Sequence, residues 1–293
     1  MRACLPGVIN LVTNSPEDAA DVVDELIAHP ATRRINFTGS TRVGRIIAEK
    51  GGAHLKRVLL ELGGKAPIVV LGDADLDRAA AAASFGAFFH QGQICMSTER
   101  IVVDRTVADA LAEKLAERAR ALPVGDPREQ STAIGPLINR AAVERVSGLV
   151  EDAVGKGAKA LSGGEADGPC FPPTVLTGIT PEMRIYSEES FGPLVTILPV
   201  DGPDEAVEVA NDTEYGLSAA VFSENVGAAL ELAQRIESGI CHINDTTVHD
   251  EPQMPFGGVK ASGFGRFGGR AALEEFTELR WITVQSLPRH YPI

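Results

Sequence analysis

Positive charge is scarce in this sequence. Its 293 residues carry 27 Lys and Arg against 40 Asp and Glu, a net −13, with no local basic cluster. That balance argues against a nucleic-acid surface, which needs clustered Lys and Arg to neutralise phosphates. Cysteine is sparse and scattered: Cys4, Cys95, Cys170 and Cys241 form no CxxC pair. The usual zinc spacings are thereby excluded and a disulfide framework is disfavoured, so a reducing cytoplasm is the expected location. Long apolar runs are missing too. The longest uncharged one, residues 79–89, is about half of what a membrane-spanning helix requires, so no membrane partner is expected. Pro6, Gly7 and Asn10 interrupt any leader-peptide core near the start. There is no internal repeat, no HExxH helix and no Ser/His/Asp order, and the turn from Phe37 to Gly44 is not a GxGxxG fingerprint.

What is present is an ordinary globular composition, 44% hydrophobic and 23% charged, long enough for one large or two ordinary domains. Apolar runs and helical periodicities alternate. Strands are expected over 8–12, 34–38, 57–62, 66–71, 101–103, 195–198, 219–222 and 240–244. Helices are expected over 19–28, 42–50 (stopped by Gly51 and Gly52), 80–88, 108–121, 139–155, 204–211, 226–236 and 271–276. A long turn-rich connection occupies 123–136, and the tail 278–285 alternates partially, with Leu279 and Trp281 on one face. Strand–helix–strand order implies parallel pairing with right-handed crossovers, an α/β fold.

Several segments can carry chemistry. Gln91-Gly92-Gln93-Ile94-Cys95 breaks an alanine-rich helix and puts a thiol where it can face a cleft; the plainer reading is a small buried hydrophobe. Glu61 ends an apolar strand before Gly63 and Gly64, at the strand edge where α/β sheets bind ligands. Sparse solvent there would raise its pKa towards proton transfer, whereas a surface glutamate before a turn is the alternative. Gly39 and Ser40 lie at a strand-to-helix turn whose free amides suit a phosphate or a neighbouring ribose, or merely cap a helix. Glu189, two residues before Phe191, offers a carboxylate for ribose hydroxyls and a ring for a flat partner, or a solvated acidic turn with an anchor. Asp73, Asp75 and Asp77 have calcium-loop spacing, but Arg78 and Ser84 stand where that loop needs glycine and glutamate, so no metal is expected.

Taken in order, FTGST, LELGGK, GQIC, EESFGP, YGLSAAVF and PFGGVKASGFGR resemble the aldehyde dehydrogenase superfamily across essentially the whole chain. The stretch from His242 to Gly269 looks closest to the branch acting on aromatic aldehydes such as salicylaldehyde or vanillin. The resemblance implies a partial Rossmann-type parallel sheet plus an α/β catalytic domain. It implies a cofactor-domain part at 1–62, a catalytic domain at 63–262, and a return segment with oligomerisation tail at 263–293. It further implies NAD as cofactor, NADP not excluded, a small aldehyde as substrate, and a homodimer or homotetramer. Cys95 would be the nucleophile, passing through a thiohemiacetal and a thioester, with its own amide as half of an oxyanion hole. Glu61 would activate the hydrolytic water and help deprotonate the thiol. Gly39 and Ser40 would contact the cofactor phosphates, Leu62 the nicotinamide, and Glu189 its ribose with Phe191 alongside. Phe89, Ile94, Met96 and Phe256 would line the aldehyde tunnel.

Set against the family pattern, the sequence begins part-way through the cofactor domain. Its opening strands, the residues reading the adenosine ribose, and the asparagine completing the oxyanion hole have no counterpart. Weak or absent dehydrogenase activity of the chain alone is therefore expected, with a non-catalytic oligomerising remnant as the competing reading.

Overall fold

A computed structural model describes residues 7–293; Met1 to Pro6, with Cys4 and the start of the segment read as leaderless, lie outside the described residues. In chain order the elements are α1 Ala19–Ala28, β1 Arg34–Thr38, α2 Thr41–Ala53, β2 Arg57–Glu61, β3 Ala66–Val70, α3 Leu76–Phe88, β4 Thr98–Asp104, α4 Ala108–Ala121 and α5 Arg140–Gly155. There follow β5 Lys159–Ser162, β6 Thr174–Thr177, α6 Arg184–Ser187, β7 Leu194–Val200, α7 Gly202–Asn211, β8 Ser218–Phe222, α8 Val226–Ala233, β9 Ile240–Ile243, β10 Gly263–Phe264 and α9 Gly269–Phe276.

Two sheets divide these strands. The larger runs β5-β6-β7-β4-β3-β8-β9, parallel throughout except where β5 pairs antiparallel with β6. Strand β3 is apolar at every position and β4 is apolar from Ile101 to Val103, because both faces there are covered. Ile68, Val70, Ile101 and Val103 point into a core shared with α3 and α4, while Val69 and Val102 point into another against α7 and α8. The smaller sheet runs β1-β2-β10, with β1 and β2 parallel and β10 antiparallel to β2. Its register sets Thr38 beside Glu61 and Gly263 on Glu61's other side. The return segment therefore closes over the end of β2.

The acids at 73–77 serve the fold. Asp75 caps α3 by accepting from the amides of Asp77 and Arg78, Asp77 pairs with Lys114, and Asp73 accepts from the Ser223 hydroxyl.

Two expectations need correcting. Residues 8–12 form no strand; their side chains are exposed, and among the described residues no strand lies beyond β1 to accept them. Helix α2 does not stop at Gly51 but runs to Ala53. Gly51 is on its buried face, where a Cβ would sit 2.5 Å from Val58, so this glycine serves close packing on β2 rather than termination. The partially alternating tail after α9 lies outside both sheets and exposes Leu279, Trp281 and Ile282. The short strands β5, β6 and β10, four residues or fewer, carried no sequence signal long enough to read.

Candidate active site

Glu61 is the last residue of β2 and only 4% exposed. Neither carboxylate oxygen has a hydrogen-bond partner among the described residues. Burial pushes its acid up to about 7; Arg266 opposes this and Asp250 adds to it. The surface-glutamate reading is thereby removed. Its backbone is pinned, since the Glu61 carbonyl accepts from Gly39 N–H and the next amide, Leu62, donates to the Ser262 carbonyl. Ser262 also donates its hydroxyl to the Gly63 carbonyl at 2.6 Å. A carboxylate held this way is fixed in place yet leaves its own lone pairs free.

Cys95 follows α3 through a tight, left-handed path. His90, Gln91 and Gly92 have φ of 51°, 57° and 65°, a conformation that costs non-glycine residues energy. A Cβ on Gly92 would fall 2.1 Å from the Gly192 carbonyl oxygen, so glycine is required there. The chain then passes directly beneath the turn after Glu61: a Cβ on Gly64 would lie 2.2 Å from the Cys95 carbonyl oxygen. Cys95 itself is half-buried. Burial, then the Glu61 and Glu189 carboxylates, push its thiol up to about 11, with the amides of Cys95 and Met96 pulling the other way.

Glu189 is half-buried, its Oε1 accepting from Gly64 N–H at 2.8 Å. Burial raises its acid to about 7, against the pull of the Gly64 amide and Arg145. Phe191 has φ 44°. Ser40 caps α2, its hydroxyl accepting from Val43 N–H, and leaves the first amides of that helix at the edge of the cleft.

One cavity of about 700 Å³ gathers these groups. Gly39, Ser40, Glu61, Leu62, Ile94, Cys95, Glu189 and Phe191 all line it. Of the eleven site residues expected from the sequence, the remaining three lie elsewhere. Phe89 is 52% exposed and stacks on Phe85 at 4.8 Å. Met96 is buried. Phe256 borders a separate cavity of about 480 Å³ shared with His242, His249 and Asp250. The cavity wall also includes Gln93 and Arg145, which sequence reasoning passed over. Gln93 accepts from Ile138 N–H, and Arg145 donates to the Glu189 carbonyl. Both act through contacts distant in sequence, so no local pattern announces them.

One cavity thus gathers a thiol, an unpartnered buried carboxylate, a helix start and a carboxylate–phenyl pair. Residues 3–282 match the pattern of the aldehyde dehydrogenase family. The chain belongs to that family. It is 57% identical over 287 residues to a vanillin dehydrogenase of Pseudomonas fluorescens, covering 98% of this chain and 60% of the relative. It is similar to the crystal structure of a salicylaldehyde dehydrogenase from Pseudomonas putida G7 complexed with salicylaldehyde. That likeness has a TM-score of 0.93 at 49% identity, covering 95% of this chain and 58% of the other. An NAD-dependent aldehyde dehydrogenase from Sinorhizobium meliloti gives a TM-score of 0.89 at 40% identity, covering 92% and 55%. The α/β architecture is that of these aldehyde dehydrogenases. The chain spans about 60% of the length of the curated relatives it matches.

Proposed function

We propose that this chain carries the cysteine site of an aldehyde dehydrogenase that oxidises an aromatic aldehyde to its carboxylic acid. The observation that carries this reading is the meeting of Cys95 and Glu61 on one cavity, with the Glu61 carboxylate buried and unpartnered.

In this mechanism Glu61, whose acid is poised near neutrality, takes the Cys95 proton. The sulfur adds to the carbonyl carbon, and the oxygen takes up the electron pair within reach of the Cys95 amide. Loss of hydrogen with its two electrons from that carbon leaves a thioester on Cys95. Glu61 releases the thiol proton to solvent and, again a carboxylate, removes a proton from water as the water attacks the thioester carbon. The carbon–sulfur bond breaks, the acid departs, and the thiol is restored.

A nicotinamide dinucleotide, when bound, supplies the acceptor for that hydrogen and its electron pair. The residues present fit such a group. Glu189 Oε2 has no protein donor among the described residues and lies on the cavity wall, available to two ribose hydroxyls. Gly63 lacks a Cβ where one would sit 2.7 Å from that oxygen. The α2 start, with Gly39 and Ser40, would hold phosphates, and Leu62 with Phe191 would flank the nicotinamide. Relatives acting on vanillin and salicylaldehyde, together with the apolar Ile94 wall, support an aromatic substrate.

An electrophile mimicking an aromatic aldehyde tests the assignment. Cys95 should be labelled in preference to Cys4, Cys170 and Cys241, and NAD or NADP should slow that labelling. Indiscriminate labelling of all four cysteines, indifferent to either nucleotide, would overturn it.

A further inference from the structure

Lys65 and Glu99 form an ion pair whose side chains are 0% and 4% exposed, the only one among the described residues buried on both sides. The mechanism above does not use it. Placing two charges in a protein interior carries a large desolvation cost, which the ion pair alone repays poorly. Here burial pulls the Lys65 ammonium below its ordinary pKa, and the adjacent Glu99 works against that. Such a pair calls for a reason beyond stability.

Its position supplies one. Lys65 lies four residues after Glu61, and Glu99 four residues after Cys95. The Glu99 carboxylate also accepts from Ser190 N–H at 2.8 and 2.9 Å and from Phe191 N–H at 3.2 Å. The residue before Lys65, Gly64, donates its amide to Glu189. One buried carboxylate thus joins three segments: the turn after Glu61, the strand after Cys95, and the turn carrying Glu189 and Phe191. That last turn holds a phenylalanine at φ 44°, a conformation that persists only where neighbours enforce it. The two Glu99-bound amides are the enforcing contacts.

We propose that Lys65 and Glu99 are positioning residues that hold the 189–191 turn over the cavity and so set its affinity for the ribose–nicotinamide end of a dinucleotide. The proposal rests on the cofactor reading above and deepens it. Glu99 is required as an acceptor for the two amides, and Lys65 as the neutralising partner that keeps the acceptor in place. An oxygen acceptor without charge should therefore serve in its stead once the lysine is gone as well.

Two neutral double variants separate this from a merely structural role. Lys65→Met with Glu99→Gln retains an oxygen for the amides; Lys65→Met with Glu99→Leu does not. Neither leaves an unpaired buried charge, and both keep side-chain volume. Amide hydrogen exchange at Ser190 and Phe191, NADH affinity by fluorescence, and Cys95 alkylation by iodoacetamide are measured on each. The Gln variant should stay within about threefold of the parent in all three readouts. The Leu variant should exchange those two amides about tenfold faster and bind NADH about tenfold more weakly, with alkylation within about twofold. Unchanged exchange in the Leu variant would overturn the clamp, and faster exchange with unchanged affinity would overturn its link to binding. A parent chain that binds neither NADH nor NADPH would instead sink the cofactor reading, and the exchange rates would still decide the clamp.

Discussion

At the scale of single residues, the ionisation of Glu61 is a stability term as well as a catalytic one. Its acid sits at about 7 in the fold against an ordinary 4.5, because burial disfavours the charged form. A folded-state pKa raised above the unfolded value means the folded chain binds the proton more tightly. The stabilisation is full below the unfolded value and is lost as pH rises through the folded one. Between pH 4.5 and 7 this group should therefore cost the wild type up to about 3 kcal/mol, at about 1.4 kcal/mol per unit. Glu189, also raised to about 7, adds a loss of the same sign. Urea denaturation across that range should show Glu61→Gln losing distinctly less stability than the wild type; parallel profiles would refute the buried, unpaired carboxylate. The same charge bears on the thiol. With Cys95 at about 11, thiolate is scarce at neutral pH, so alkylation by neutral iodoacetamide should climb with pH towards that value. In Glu61→Gln the alkylation profile should move to lower pH, because one of the two repelling carboxylates is gone. The places of Cys95 after a helix break and of Glu61 at a strand end were legible in the sequence, whereas only the family resemblance brought the two together; both line one cavity. The unpaired oxygens of Glu61 were not legible, since they depend on Gly257 and the return segment folding over it from almost two hundred residues away.

At the scale of elements, the site depends on how closely the turn after β2 approaches the segment after α3. Gly64 permits that approach, and a methyl group there would fall 2.2 Å from the Cys95 carbonyl oxygen. Gly64→Ala should therefore cost about 1–3 kcal/mol in denaturation and shift the Cys95 alkylation rate, since backbone must move on both sides. Asp75→Ala provides the contrast. Removing the α3 cap, which accepts from two amides, should cost about 1 kcal/mol and leave the alkylation rate unchanged. If both variants changed the thiol alike, the close contact at Gly64 would have no special role. Long elements with clear periodicity, such as α1 and α4, fall where their patterns put them. The misreadings share a physical cause: periodicity and glycine report local preference, whereas partner strands decide whether an apolar run becomes a strand. Residues 8–12 have no partner strand among the described residues, and Gly51 is needed for packing on Val58. Phe256 was expected in the aldehyde wall from the family resemblance alone; it borders the neighbouring cavity with His249 and Asp250.

At the scale of the whole molecule, what stays uncovered matters as much as what is packed. Strands β1 and β2 come first in the chain, the seven-stranded sheet follows, and β10 returns to the first sheet. The seven-stranded sheet ends at β9, whose outer edge pairs with no strand among the described residues. The tail after α9 leaves Leu279, Trp281, Ile282 and Val284 largely in solvent. An extended apolar segment and a free strand edge on the same chain favour association between copies. Trp281, the only tryptophan and 90% exposed, reports on that association directly. As protein concentration rises, its emission should move to shorter wavelengths while sedimentation shows growth from monomer to a defined oligomer. A stable contact would need to cover about 800 Å² on each copy, more than one side chain supplies, so Trp281→Ser alone should weaken assembly without abolishing it. Removing residues 278–293 should abolish it and leave the pH dependence set by Glu61 unchanged, because that carboxylate is enclosed by β10 and Gly257 rather than by the tail. A chain that sediments as a monomer at every concentration, with emission fixed at that of exposed indole, would show that the tail is not an assembly element.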